Sequence, residues 1–461
     1  MWSRRGDVGI TGALTPSRTL RVADGNAIPT TLAQSGAVRF WAAVLLTGAG
    51  TGAAAAALTR LLEIVQHFVW NGSGTNILDA AEHADAWRHV LVLLGAGLIT
   101  GAGQIVLKHL SSGNGIDTTA AIWFHAGRLP ALRTLGSALL SVVIVGMGVS
   151  LGREGAPKQA GAVIANFFSD RARLSDEQRR LLVACGAGAG MGAAYGVPLG
   201  GALFSLEVMR GILALRYVLP ALFMALVATA VSWLALPDTP TYLIPAYASS
   251  LPVVCWALLA GPIAGVASVG YVRAIQWADR NKPHGWHRLT APLVVAGLLG
   301  AVSIPFPQLL GNGRDISQLV FTNQVAPVLM VTLLVLKPLA TVLCMRSGAP
   351  GGLFTPSLTA GALLGACLGH VWSWFWPGVP PGLFALLGAT AVLAATTQGP
   401  ISTVVLMMEL TGRDRSFILP LILVAATATL AARTIEPRSI YDARLTDEEI
   451  AARQHSRDLP L

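Results

Sequence analysis

Residues Gly186-Ala187 through Ala193-Ala194, then Pro198 and Glu207, can be laid over Gly388-Ala389 through Ala395-Thr396, then Pro400 and Glu409, at a constant offset of 202 and without a gap. Each copy runs as a small-residue helix, a turn, a proline, an apolar helix and a glutamate. Chance matching of Gly- and Ala-rich sequence is the competing explanation, and the equal Pro-to-Glu spacing argues against it. A second pair points the same way: Gly152-Arg153-Glu154-Gly155-Ala156-Pro157 falls opposite Gly351-Gly352-Leu353-Phe354-Thr355-Pro356. Two halves, 36–237 and 251–434 around a linker at 238–250, therefore each bring a Gly-rich, Pro-terminated helix start to a corresponding place. Duplicated halves with paired broken helices are a transporter signature, with the ligand site where the repeats meet.

The segments between these landmarks are apolar and interrupted. They fall near 37–68, 88–109, 130–151, 157–169, 179–195, 198–215 and 217–236. After the Pro-rich stretch Pro237 to Pro245 they resume near 251–276, 289–306, 324–345, 356–376, 382–397, 400–411 and 416–434. Several are shorter than the ~20 residues a helix needs to cross hydrocarbon. Only 12% of the chain is charged and 53% is hydrophobic, whereas a soluble domain carries roughly 25% charged residues. The expected class is an all-α, multi-pass membrane protein. The net charge of +9 comes without a Lys/Arg block interleaved with aromatics, so nucleic acid is not an expected partner. The four cysteines lie singly in apolar segments and no HExxH occurs. Neither a metal nor a cofactor is expected. Residues 1–35 are polar, with Arg4, Arg5, Arg18 and Arg21 and no secretory signal pattern. Arginines before the first span favour a cytoplasmic N-terminus. Residues 435–461 form a polar tail too short for a regulatory domain.

Glu154 is the residue hardest to explain as structure alone. It lies between the apolar runs Leu139–Leu151 and Ala160–Phe168, where a carboxylate is costly without water, a partner or a proton. Its neighbours Gly152 and Gly155 let backbone approach a ligand closely, and Pro157 suits the first turn of a helix. Glu154 is thus expected just before a helix start, beside free N–H groups that attract anions. A carboxylate there can substitute for a permeating anion. The plainer alternative is a helix cap at the membrane surface. Gly113-Asn114-Gly115-Ile116-Asp117 suggests a further helix start, and Ser175-Asp176-Glu177-Gln178 reads as a capping box.

Taken together, these stretches resemble the CLC family of chloride channels and chloride/proton antiporters, over about 36–442. Gly152-Arg153-Glu154-Gly155 is similar to the family's gating-glutamate motif. Gly351-Gly352-Leu353-Phe354-Thr355-Pro356 is similar to its second pore motif, Gly113-Asn114-Gly115 stands in the place of a third, and Tyr441 falls where a pore-lining tyrosine is usual. The resemblance implies two inverted-topology repeats of about eighteen helices, and a homodimer with one pore per subunit whose contact lies around 186–210 and 388–412. Both termini would be cytoplasmic, in a bacterial inner membrane. It implies a central anion held by the Tyr441 hydroxyl, the Asn114 amide and the backbone N–H groups of Leu353 and Phe354. Glu154 and the backbone at Gly155 would cover the outer site. Partial charges of this kind attract an anion without a full, retentive cation.

Three positions depart from the family pattern. Asn114 stands where serine is usual, and Asp117 replaces a proline. In Leu206-Glu207-Val208, the place of the antiporters' inner proton-transfer glutamate is held by Val208. The expectation is therefore a passive chloride channel gated by Glu154. The alternative is a chloride/proton exchanger that uses Glu154 and a substitute inner route through Glu207. Glu207 also has a plain reading, as the partner of a helix end that matches Glu409. A membrane-embedded enzyme would need a nucleophile/base pair or a metal cluster, and no HExxH occurs. An organic-solute carrier would need several convergent side chains where mostly glycine stands.

Overall fold

A computed structural model describes residues 28–70, 76–110, 117–412, 417–442, 445–446 and 448–449. The first half contains α1 (Ala37–Trp70), α2 (Ile77–Glu82), α3 (Ala86–Leu110), α4 (Thr118–Phe124), α5 (Ala131–Gly146), α6 (Gly155–Arg171), α7 (Asp176–Tyr195), α8 (Pro198–Phe204) and α9 (Leu215–Ser232). The second contains α10 (Leu251–Arg280), α11 (His287–Val302), α12 (Arg314–Phe321), α13 (Pro327–Arg346), α14 (Phe354–Ser373), α15 (Pro381–Thr397), α16 (Pro400–Thr411) and α17 (Ile418–Ile435). A π-helical turn, Ser205–Arg210, extends α8, and a short 3-10 turn, Pro307–Leu309, precedes α12. Among the described residues, seven helices are long and apolar enough to cross a membrane. The fold is an all-α, multi-pass membrane fold.

Punctuation residues set the helix ends. Proline opens α8, α13, α15 and α16, where its missing N–H is no loss. Ser175 and Gln178 form the reciprocal capping box of α7. Asp117 caps α4 by accepting from the Thr119 N–H at 2.8 Å, which gives a physical reason for an acid at that position. Helix α7 ends on Gly196 and α15 on Gln398, both left-handed, with φ of 69° and 59°. The second is strained for a residue with a Cβ. Arg433 holds it, donating to the Gln398 side chain at 2.8 Å and to its carbonyl at 3.1 Å.

Packing follows the duplication. Helix α6 lies along α7 as α14 lies along α15, and α1 lies along α9 as α10 lies along α17. Corresponding elements also meet across the two halves, α3 with α11 and α8 with α16. Small residues permit the closest of these approaches. A Cβ on Gly161 would collide with the Gly186 carbonyl, and one on Gly361 would stand 2.5 Å from the Gly388 carbonyl.

Several expectations shift. The apolar run 198–215 breaks at Phe204, because the chain widens into the π turn and stops at Gly211, φ 73°. Helices α2, α4 and α12 arise in stretches without a long apolar pattern. Residues 186–195 and 388–397 are buried inside the subunit, apart from no more than grazing exposure. Outward apolar side chains nearby include Leu199 and Ile401, with Leu219 and Phe223 on α9 and Ile422 on α17.

Candidate functional site

The two helix-start motifs meet backbone to backbone. Gly152 N–H donates to the Gly352 carbonyl at 2.8 Å, and Gly352 N–H donates to the Gly152 carbonyl at 2.7 Å. This bridge brings the N-termini of α6 and α14 to one point. Gly155 completes the close approach, since a Cβ there would stand 3.0 Å from the Gly352 nitrogen.

Glu154 is the N-cap residue of α6, yet its side chain makes no capping bond to its own helix. The carboxylate crosses to the other half. Its Oε1 accepts from the Phe354 N–H at 2.6 Å, at the first turn of α14. Its Oε2 accepts from the Thr355 hydroxyl at 3.2 Å and the Tyr195 hydroxyl at 3.4 Å. Tyr195 and Thr355 are themselves joined at 2.8 Å. The side chain is 3% exposed. A negative group thus rests where the dipole and free N–H groups of α14 would hold an anion. The motif glycines make the room: a Cβ on either Gly152 or Gly352 would strike the Glu154 side chain before anything else.

A cavity of about 40 Å³ adjoins the carboxylate, and Glu154, Gly155, Gly351, Gly352, Leu353 and Tyr441 all line it. The Tyr441 ring packs edge-on against Phe204 at 5.6 Å. Pro356 is buried in the first turn of α14. Asp117 and Gln159 line both this cavity and a vestibule of about 690 Å³, which also carries Lys108, Arg133, Arg280 and Arg288. Arg153, next to Glu154 in the chain, looks elsewhere. Its guanidinium lies 4.9 Å from the Tyr195 ring centroid, and it lines a separate cavity of about 90 Å³ together with Tyr195 and Arg314. Tyr195 therefore stands between the carboxylate and that second space.

Glu207 is not in this assembly. Its two oxygens accept from the backbone N–H groups of Ile401 at 3.1 Å and Ser402 at 2.6 Å, at the start of α16. Glu409 does the same for α8, accepting from Leu199 at 3.0 Å and Gly200 at 2.6 Å. Each half caps a helix of the other. Gly113, Asn114 and Gly115 lie outside the described residues.

Sequence reasoning singled out Glu154, Gly155, Leu353, Phe354 and Tyr441 and passed over Tyr195, Thr355, Lys158 and Arg314. Thr355 adjoins a motif residue and Lys158 lies four residues after Glu154, so both carried a local signal. Tyr195 and Arg314 carried none, because their places are set by the fold.

The sequence pattern described as voltage gated chloride channel matches residues 96–433. The chain is 30% identical over 387 residues to the voltage-gated ClC-type chloride channel ClcB of Citrobacter koseri, covering 81% of this chain and 91% of that one. It is 31% identical over 331 residues to the H(+)/Cl(-) exchange transporter ClcA of Vibrio parahaemolyticus, covering 68% and 70%. Among solved structures, a slow cyanobacterial Cl-/H+ antiporter superposes with a TM-score of 0.77, at 22% identity, over 90% of this chain and 99% of that one. A CLC-type fluoride/proton antiporter superposes with a TM-score of 0.72, also at 22% identity, over 90% and 99%.

Proposed function

The chain belongs to the voltage-gated chloride channel (CLC) family, and from that premise we propose that it exchanges chloride or a similar small anion for protons, with Glu154 as the gate. The family makes it an anion-transport protein rather than an enzyme. The observation that carries the finer reading is the Glu154 carboxylate on the α14 N-terminus, a site built for a negative charge and filled by the protein's own. An anion can take that place only when the carboxylate leaves. Protonation removes the charge that the α14 dipole attracts, so the neutral side chain releases its hold and the anion enters. Each passage is then tied to a protonation.

Relatives named as exchangers and antiporters favour this reading over the passive channel that Val208 suggests. The relative named as a chloride channel keeps the channel as the second reading. Glu207 is a poor inner proton carrier, because both of its oxygens are engaged at α16. The polar vestibule that reaches Asp117 and Gln159 is the better route. Tyr441 and the N–H groups of Leu353 and Phe354 would line the central anion position, with Asn114 beside them. The rest of the reading is a homodimer in the lipid bilayer of a bacterial inner membrane, with one pore per subunit and both termini cytoplasmic.

Liposomes with a chloride gradient and no proton gradient test this. Chloride efflux should drive steady proton uptake, and Glu154→Gln should abolish the proton movement while chloride still flows. Proton movement no faster than leak would establish the channel instead.

A further inference from the structure

Beyond Tyr195, two arginines share one space. Arg153 and Arg314 both line the cavity of about 90 Å³ on the far side of that ring, and both line a smaller one of about 20 Å³. Among the described residues, no ion pair joins either of them to an acid. The Nε of Arg153 is buried without a hydrogen-bond partner. Arg314 donates to the Thr241 carbonyl at 3.3 Å, a neutral partner that leaves its charge in place. It is also the first residue of α12, where the helix dipole disfavours a cation, and the charge of Arg153 acts on it as well. Two acids line these spaces. Glu63 is paired with Arg60 at 2.8 Å. Asp315, next to Arg314, offsets part of its charge and accepts from the Leu78 N–H at 3.4 Å. Two like charges and an unmet donor thus meet at one cavity, and the chain's own groups balance them only in part.

We propose that Arg153 and Arg314 form a binding site for a small inorganic oxyanion, sulfate or phosphate in kind, at the outer mouth of the pore, and that its occupant slows anion passage. The inference rests on the anion-transport reading above, with both termini cytoplasmic. Helix α1 then runs outward, and Thr59 and Glu63 in its later half place the cavity on the outer side. One water needs about 10–15 Å³ of such space, so the cavity has room for a small oxyanion. A guanidinium is a planar fork of N–H donors that matches two oxygens of one anion. Two forks therefore favour an oxyanion, with several acceptors, over a spherical halide. The Arg153 guanidinium lies 4.9 Å from the Tyr195 ring centroid, and the Tyr195 hydroxyl donates to Glu154 at 3.4 Å. An oxyanion that fixes Arg153 fixes that ring, and with it a partner of the gate carboxylate. Its negative charge also repels an anion approaching from outside.

The test uses the full-length protein, wild type and with Arg314→Gln, Arg314→Met and Arg314→Lys. Sulfate binding is measured by calorimetry in detergent, in a chloride-free gluconate buffer. Chloride efflux from liposomes is compared with sulfate or gluconate on both faces at equal ionic strength. The wild type should bind sulfate and lose chloride flux several-fold in its presence. Arg314→Gln and Arg314→Met should raise the sulfate Kd about tenfold or more and abolish the inhibition. Arg314→Lys, which keeps the charge without the fork, should fall between. The flux ratio with and without sulfate is independent of how much protein folds, so a structural role alone does not move it. No sulfate binding by folded wild type, or a Kd that Arg314→Gln and Arg314→Met leave within twofold, overturns the site. A wild-type flux ratio within twofold of one overturns the inhibitory role. A wild type that binds sulfate through Arg314 yet moves no chloride overturns the transport reading and leaves the site standing.

Discussion

At two places a carboxylate from one half of the molecule rests on a helix N-terminus of the other, and the two are arranged differently. At α8 and α16 the arrangement is reciprocal. Glu207 caps α16, Glu409 caps α8, and each accepts two backbone N–H groups. At α6 and α14 it is one-sided. Glu154 reaches α14, but the position opposite it in the second half is Leu353, which has nothing to offer α6. A closed pair of caps satisfies both helix ends and leaves no place for a ligand. A single cap on one of two adjoining helix ends can be displaced. The duplicated fold thus carries one reciprocal and one one-sided version of the same contact, and the apolar residues Leu353 and Phe354 opposite Glu154 make them differ.

The sharpest way to break that comparison is to evict Glu154 without removing it. The three atoms nearest a Cβ on Gly352 all belong to the Glu154 side chain, so Gly352→Ala should displace the carboxylate and leave the backbone bridge in place. Anion flux at neutral pH should rise about tenfold or more and lose its dependence on pH, as in Glu154→Ala. A flux equal to wild type, in protein that elutes and melts normally, would show that the carboxylate does not block the path.

The reciprocal pair should respond in stability and not in transport. Glu207→Gln and Glu409→Gln each replace a carboxylate accepting two N–H groups with an amide that can satisfy at most one of them well. Each should cost about 2–3 kcal/mol, since hydrogen bonds to charged groups are worth roughly 1.5–3 kcal/mol. The melting temperature in detergent would drop, while flux per folded molecule and proton coupling stay near wild type. Loss of coupling in Glu207→Gln at normal stability would move Glu207 into the transport route.

Much of this contrast could be read from the chain. Helix ends were visible because Pro and Gly mark them, and the matching prolines and glutamates made the duplication plain. Glu154 stood out because an acid is rare in so apolar a setting. The partners of Glu154 did not stand out. Tyr195 and Thr355 lie 41 and 201 residues from it in the chain; Thr355 sits in a motif but nothing there points to Glu154, and Tyr195 carries no local signal at all. The short helices α2, α4 and α12 lack the long apolar period by which spans are recognised. Glu207 shows the converse case. The sequence sets it one residue before Val208, the place where the family's antiporters carry a proton-transfer glutamate, while the cross-half contact gives it a helix end to cap.

The smallest expected effect lies outside the spans. Glu436 accepts from Arg438 at 2.7 Å and from Arg273 at 3.3 Å. Its hydrogen bonds to Arg438 hold its carboxyl below the usual carboxylate range. A depressed folded-state value means that the stabilisation is present above the unfolded pKa, about 4.3, and is lost as pH falls through the folded value. Glu436→Gln should therefore lower stability by about 1 kcal/mol near pH 7, and the gap to wild type should close on acidification below pH 4. A gap that is constant with pH would assign the effect to packing.

The backbone bridge between Gly152 and Gly352 bears on how such a molecule can alternate at all. Many carriers expose a site to one side and then the other by rocking one repeat against its twin. Here the twins are stitched together at the proposed ion site by two main-chain bonds. A swing large enough to swap the exposed face would tear that seam. The seam instead favours a moving part of side-chain size, with the scaffold around it a stator.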